Sequence, residues 1–488
     1  MIVMSTVFTG LSPEKVWYYF GEICKVPRPS KKEKLITDYI VSVARKLNLE
    51  HELDETGNIL IRKPATEGFT NYPVVVLQSH IDMVCEKNSD TYHDFDNDPI
   101  IPRVDGEWIK ATGTTLGADD GIGIAAQLAI LESTDIEHGP LEMLFTVDEE
   151  TGLTGANGLK PGFLKGNILL NLDSEDEGEL FIGCAGGQDT KAFMNYSRVA
   201  VNYDFAGFQL KVTGLQGGHS GDDINKGRGN AVKILNRILW TTSHMFEIRI
   251  SEIDGGNLRN AIAREAYANI IVPNRFSDEF IQYIKKCNAI LKNEYKIADP
   301  GLNVSYQPIE LPSYLIDLST QERLLNALYA CPHGVIAMSA DVPNFVETST
   351  NLASVKMNDK VIEIGTSQRS SSENGKKDVL NMVESVFRLA GAKITHNDGY
   401  PGWTPNPKSP ILDITHKAYV KLFSQEPKVL AIHAGLECGL IGEQYPGIDM
   451  ISYGPTIKGA HSPDERLEIK TVQRFWDLTL EVLKNIPH

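Results

Sequence analysis

The sequence has no CxxC pair, and its six cysteines (Cys24, Cys85, Cys184, Cys287, Cys331 and Cys438) are scattered along 488 residues. That spacing excludes a disulfide-stapled scaffold and a cysteine-built zinc knuckle, and it fits thiols kept reduced. No apolar run approaches the ~20 residues that span a bilayer, so no membrane role is expected. The opening MIVMSTVFTGLSPEKVWYYF lacks a basic segment followed by an apolar stretch and a small-residue cleavage site. The chain is therefore read as cytoplasmic. Long basic blocks are also missing: 47 Lys and Arg stand against 64 Asp and Glu, a formal net charge of −17. Such a chain binds polyphosphates poorly, which argues against a nucleic-acid partner.

What is present is an ordinary globular composition, 42% hydrophobic and 8% aromatic. The length exceeds what one core fills, since cores stop growing near ~250–300 residues, so two domains are expected. Ser12-Pro13-Glu14 reads as a helix start, and Ser30-Lys31-Lys32-Glu33 as a capping box opening a second helix to Leu47. Strands are expected near Leu49–Leu53, Asn58–Arg62, Pro73–Leu77, Leu141–Val147 and Ile168–Leu172, with a helix over Gly121–Leu131. Alternating strands and helices imply an α/β sheet covered on both faces, whose ligands gather at the carboxyl edge. His80, Glu150 and Asp173 each follow an expected strand.

From Gly187 the texture changes. Strand Leu210–Gly214, polar loop Gln216–Gly229 and helix Asn230–Trp240 are echoed by strand Val361–Gly365, polar loop Thr366–Gly375 and helix Lys377–Leu389, a weak β–loop–α repeat. After Pro401 a helix near Ile411–Phe423 and strands near Lys428–His433 and Asp449–Tyr453 return the chain to the first domain. The expected organisation is a catalytic domain in two pieces, 1–186 and 402–488, around an inserted α+β lid domain, 187–401.

Each chemical candidate has a bland reading: a core histidine for His80, a helix cap for Asp119-Asp120, a solvated turn for Glu149-Glu150. Together they change meaning. Two histidines, His80 and His461, with several carboxylates at strand and helix ends form a mixed nitrogen–oxygen donor set that suits zinc, cobalt or manganese, and two ions better than one. Asp82 is placed to fix the tautomer of His80. Of the adjacent glutamates one can ligate while the other stays free as a general base.

His80-Ile-Asp82, Leu116-Gly-Ala-Asp-Asp-Gly-Ile-Gly123, Thr146-Val-Asp-Glu-Glu-Thr-Gly152, Asn171-Leu-Asp173, Gly217-Gly-His-Ser-Gly221 and Ala460-His-Ser-Pro-Asp464 follow in order. This set resembles the M20 metallopeptidase family. His433-Ala-Gly-Leu-Glu-Cys-Gly439 points to its aminoacyl-histidine dipeptidase branch. The resemblance implies hydrolysis of unblocked dipeptides, Xaa-His among them, by a water activated between two divalent ions, most simply Zn2+, with Co2+ or Mn2+ as alternatives. It implies that Asp119 bridges the ions, that His80 and Asp173 complete one site and Glu150 and His461 the other, and that Asp82 orients His80. It implies Glu149 as general base, a cis Asp119–Asp120 peptide, and His219, Asn260 and Arg369 of the lid as substrate-binding residues. A homodimer through the lid is also implied. Rival readings are an N-acyl-amino-acid deacylase or tripeptidase of the same family. A non-catalytic scaffold would have lost a ligand or the base, and every position is filled.

Overall fold

In a computed structural model, described for residues 7–201 and 204–487, the chain forms two compact units. Residues 1–6, part of the N-terminal stretch read above, lie outside the described residues. The first unit comprises residues up to Gly183, Pro405–Ala431 and Leu436–His488; the second comprises Cys184–Thr404 and Ile432–Gly435. Among the described residues no helix is long and apolar enough to cross a membrane, and none of the six cysteines forms a disulfide.

The first unit is built on an eight-stranded mixed sheet in the order Glu50–Leu53, Ile59–Lys63, Leu141–Thr146, Val75–His80, Ile168–Asn171, Asp449–Ser452, Glu179–Cys184, Lys428–Ile432. Its four central strands, from Leu141–Thr146 to Asp449–Ser452, run parallel. Val75–His80 and Leu141–Thr146 are buried at every residue, as expected of parallel strands covered on both faces. The helix Ala118–Glu132, whose backbone departs from helical at Asp119 and Asp120, is mostly apolar and almost wholly buried, which marks a core helix rather than a surface one. A small second sheet joins Ile457–Lys458, Arg466–Glu468, Trp108–Ala111 and Pro102–Asp105. It ties the C-terminal hairpin to the segment leading into Ala118–Glu132.

The second unit is α+β. Its nine-stranded sheet is antiparallel wherever pairing is defined, and its core is formed with the helices Ala231–Phe246, Ser277–Glu294, Leu318–Ala330 and Glu373–Leu389. Along Phe205–Thr213 the buried Phe208, Leu210 and Val212 alternate with Gln209 and Lys211, so one face meets the helices and the other is polar.

Four local expectations are corrected. Pro13 stands at the N-cap of Glu14–Ile23 without a side-chain cap, because Ser12 Oγ instead bonds Gln473 Oε1 at 2.6 Å. Ser30 and Glu33 form no capping box: the helix is Lys34–Lys46, and both side chains turn to the site. The strand expected at Pro73–Leu77 is Val75–His80, so His80 ends the strand rather than following it. Thr366–Ser370 is no loop but the buried end of strand Val361–Ser370, and the helix starts at Glu373. Its polar side chains bond within the sheet, Gln368 with Thr190 and Thr350, and Ser370 with Thr348. The echo between the two β–α pieces thus reduces to a strand followed by a helix.

Candidate active site

The carboxyl ends of the parallel strands converge, the place where an open α/β sheet gathers ligands. Val75–His80 ends on His80, which is 1% exposed. Leu141–Thr146 leads into a single helical turn, Glu149–Gly152, bracketed by Asp148 and Leu153 in the left-handed region. Ile168–Asn171 leads to Asp173, and the hairpin after Asp449–Ser452 carries His461, itself at φ +62°. Non-glycine residues held at positive φ are uncommon and gather at functional sites.

His80 Nε2 lies 2.9 Å from Asp119 Oδ1 and 3.3 Å from Asp173 Oδ1. His461 Nε2 lies 3.1 Å from Asp119 Oδ2 and 3.1 Å from Glu150 Oε2. Each oxygen of one carboxylate therefore faces a different imidazole–carboxylate pair. His80, Glu149 and Glu150 form a further close group, which puts Glu149 beside the first. The Asp119–Asp120 peptide is cis. Asp120 turns away and caps its helix, its Oδ1 accepting from Gly123 N at 3.1 Å.

Asp82 ties these parts together. Its Oδ1 lies 3.3 Å from His80 Nδ1 and accepts from Glu149 N at 3.0 Å. Its Oδ2 accepts from Glu150 N at 3.2 Å and from Ser30 Oγ at 2.7 Å. One buried carboxylate thus lies against the imidazole and holds the turn that presents both glutamates.

Three residues support the site in roles the sequence reading did not assign, Glu437 among them although it stands in the His433–Gly439 motif. Glu465, 2% exposed, accepts the backbone N–H groups of Leu116, Gly117, Ala118 and Asp119 at 2.7–3.4 Å, pinning the Asp119 loop to the His461 hairpin. Arg28 is buried and donates to the carbonyls of Ile81, Asp82 and Gly117. Gly117 sits at φ +67°, and a Cβ there would lie 2.7 Å from Arg28 Nη2, so a side chain is excluded twice over. Glu437, fully buried, accepts from Gln78 Nε2 at 2.6 Å and Thr146 Oγ1 at 2.7 Å, and burial pushes its carboxyl up to about 7. The only sequence signal for Glu465 was its place one residue beyond the Ala460–Asp464 motif.

The electrostatics show what the cluster lacks. Burial pushes Asp173, Asp120 and Glu149 well above the usual carboxylate range, and their neighbours Asp119, Asp173 and Glu150 push further. His80 is raised although burial opposes it, because Asp173, Asp119 and Asp82 surround it; His461 rises to about 11 through its bonds to Asp119 and Glu150. Among the described residues no Lys or Arg pairs with Asp119, Glu149, Glu150 or Asp173. Glu150 Oε1 is buried with no hydrogen-bond partner. Buried anions in excess, an orphaned carboxylate oxygen and two imidazole nitrogens aimed at carboxylates fit divalent cations, which such sites use to balance charge.

The other expected residues lie in the second unit. The backbone N–H groups of Gly221 and Asp222 approach His219 Nδ1 at 3.3 and 3.2 Å, and Asp222 Oδ2 lies 3.3 Å from it. Accepting the amides in the neutral ring or pairing with Asp222 when charged, His219 keeps its Nε2–H as a donor. Asn260 flanks it: Ser220 N donates to Asn260 O at 2.8 Å, and His219 bridges to Ala261. Arg369, 8% exposed, donates from Nη1 to the Tyr400 hydroxyl at 3.0 Å. His433, of the motif near the C-terminus, is bonded through Nε2 to Ser349 Oγ at 2.7 Å, and burial holds it down at about 3.

The sequence profile of peptidase family M20/M25/M40 matches residues 76–485. The cytosol non-specific dipeptidase of Escherichia coli K12 is 45% identical over 477 residues, 98% of each chain. The crystal structure of an aminoacylhistidine dipeptidase from Vibrio alginolyticus superposes with a TM-score of 0.93 at 45% identity, covering 99% of this chain and 98% of that one. A tripeptidase from Staphylococcus aureus shares the fold at a TM-score of 0.57 and 17% identity, covering 98% of this chain and 99% of its own. With catalytic and lid domains and clustered His, Asp and Glu at the sheet edge, the chain belongs to the peptidase family M20/M25/M40.

Proposed function

We propose that the protein is a two-metal dipeptidase of the cytoplasm that hydrolyses unblocked dipeptides, Xaa-His among them. The observation that carries this reading is Asp119, whose two oxygens face His80 with Asp173 on one side and His461 with Glu150 on the other. The close likeness to an aminoacylhistidine dipeptidase and a cytosol non-specific dipeptidase over nearly the whole chain supports the substrate class and the compartment.

Asp119 would hold both ions, with His80 and Asp173 at one and Glu150 and His461 at the other; zinc fits this donor set, with cobalt or manganese as substitutes. Bound there, two divalent ions supply Lewis acidity, lowering the pKa of a water and polarising a peptide carbonyl. Glu149 takes the proton of the attacking water and delivers it to the leaving amine. Asp82 fixes the His80 ring and the turn that aims Glu149. His219 Nε2–H donates to the oxyanion as the carbonyl carbon becomes tetrahedral. Asn260 contacts the substrate beside it, and Arg369 grips the terminal carboxylate, so peptide length is measured from that end. The second unit serves as lid and as the surface of a homodimer.

The test is a panel of free and N-acetylated di- and tripeptides. Cleavage confined to free dipeptides supports the dipeptidase. Preference for the acetylated set moves the protein to the deacylases, and preference for three residues to the tripeptidases.

A further inference from the structure

Arg369 is nine-tenths buried, yet among the described residues it forms no ion pair with any Asp or Glu. Asp222, which feels its charge, is engaged by His219 instead. Arg369 Nε is buried with no hydrogen-bond partner among the described residues. An unneutralised buried guanidinium is costly to keep, and it marks a place for an anion from outside the chain.

Among the described residues the Arg369 side chain bonds one group, the Tyr400 hydroxyl. A guanidinium can only donate, so in the 3.0 Å contact the Tyr400 oxygen is the acceptor. The Tyr400 O–H is then left to donate, and no hydrogen bond from it to another group is found among the described residues. Burial raises the phenol above its ordinary pKa, so it keeps that proton.

The ring is also held in place. A Cβ at Gly187 would lie 2.7 Å from Tyr400 Oη, and one at Gly435 2.9 Å from its Cε2, so both neighbours must be glycine for the ring to sit between them. Tyr400 and Gly187 exchange backbone bonds in both directions, at 2.8 and 3.1 Å. Strand pairing places Gly187 opposite Arg369. A fixed hydroxyl donor and a fixed cationic donor therefore share one spot.

We propose that Tyr400 is a specificity-determining residue that donates its hydroxyl proton to the terminal carboxylate of the peptide beside Arg369, so that a free carboxylate is favoured over an amide. This rests on the dipeptidase reading above. Two donors of different kind read both oxygens of the carboxylate, whereas an amide would present its own N–H to one of them.

The experiment compares a free dipeptide with the same dipeptide amidated at its C-terminus, using full-length metal-loaded protein. A hydrogen bond to a charged group predicts that Tyr400→Phe raises KM for the free acid about 10–100-fold, with the effect on KM exceeding that on kcat and the amide losing far less. Gly435→Ala, which displaces the ring and keeps the hydroxyl, should give the same acid-selective rise. Thermal melts check that both variants fold. Equal losses on acid and amide, or an unchanged KM for the acid in both variants, overturn the Tyr400 assignment alone. Failure of the wild-type protein to cleave either peptide overturns the dipeptidase reading, and this assignment with it.

Discussion

At the scale of single residues, the site divides its labour between groups that look alike in sequence. Glu149 and Glu150 are neighbours on one turn and both lie close to His80, yet it is Glu150 that also faces His461, at 3.1 Å. Glu149→Ala should keep metal binding and lose about 10²–10⁴-fold in kcat, the usual yield of general base catalysis. Titration calorimetry beside the assay separates the two effects, and metal loss would reassign Glu149 as a ligand. Glu465→Gln removes charge from the carboxylate that gathers four backbone amides, and should weaken metal binding about 10–100-fold, as changes one layer behind ligands do. An unchanged affinity would show that the Asp119 loop holds itself.

The cluster of acids and histidines was legible because such residues at strand ends are a local signal. Glu465 and Arg28 were not, since their roles rest on contacts with segments distant in sequence. Ser30 and Glu33 misled for the opposite reason: their local pattern is that of a capping box, but Ser30 holds Asp82 and Glu33 holds the Asp148 amide.

At the scale of elements, the parallel strands set the site and a few buried polar groups tune the second unit. Strand Val361–Ser370 was misread at its end because buried polar residues that satisfy one another look like a loop in sequence. Two histidines in that unit are kept neutral by burial, His333 at about 4 and His433 at about 3. Both folded values lie below the ordinary 6.5. Between about pH 6.5 and 4 the unfolded chain therefore binds protons that the folded one refuses, and stability falls as pH falls through that window. The slope approaches about 1.4 kcal/mol per pH unit for each histidine. Denaturant melts of His333→Gln and His433→Gln should show a shallower acid slope than wild type. Parallel slopes would mean that these rings are protonated in the folded protein.

At the scale of the whole molecule, two compact units and a family-wide motif set were readable from length and order, while the passage of Ile432–Gly435 into the second unit was not. Whether His219 acts within its own chain or across a dimer is settled by mixing inactive His219→Ala chains with inactive Glu149→Ala chains. We propose that it acts within its own chain, since the inserted segment, 187–401, has the length of two lid units. No activity should return, and regained activity would make the donation intersubunit. Chelation should lower thermal stability as well as activity, since cations at 100–1,000 times their Kd add about 3–4 kcal/mol.

The central claim is that two bound ions and Glu149 hydrolyse a free dipeptide. The most direct test is to strip the protein of metal and titrate zinc back while following cleavage of β-alanyl-histidine. The account predicts no turnover in chelator and a rise that saturates at two equivalents per chain. Full activity in chelator, or none at any metal load, would contradict it.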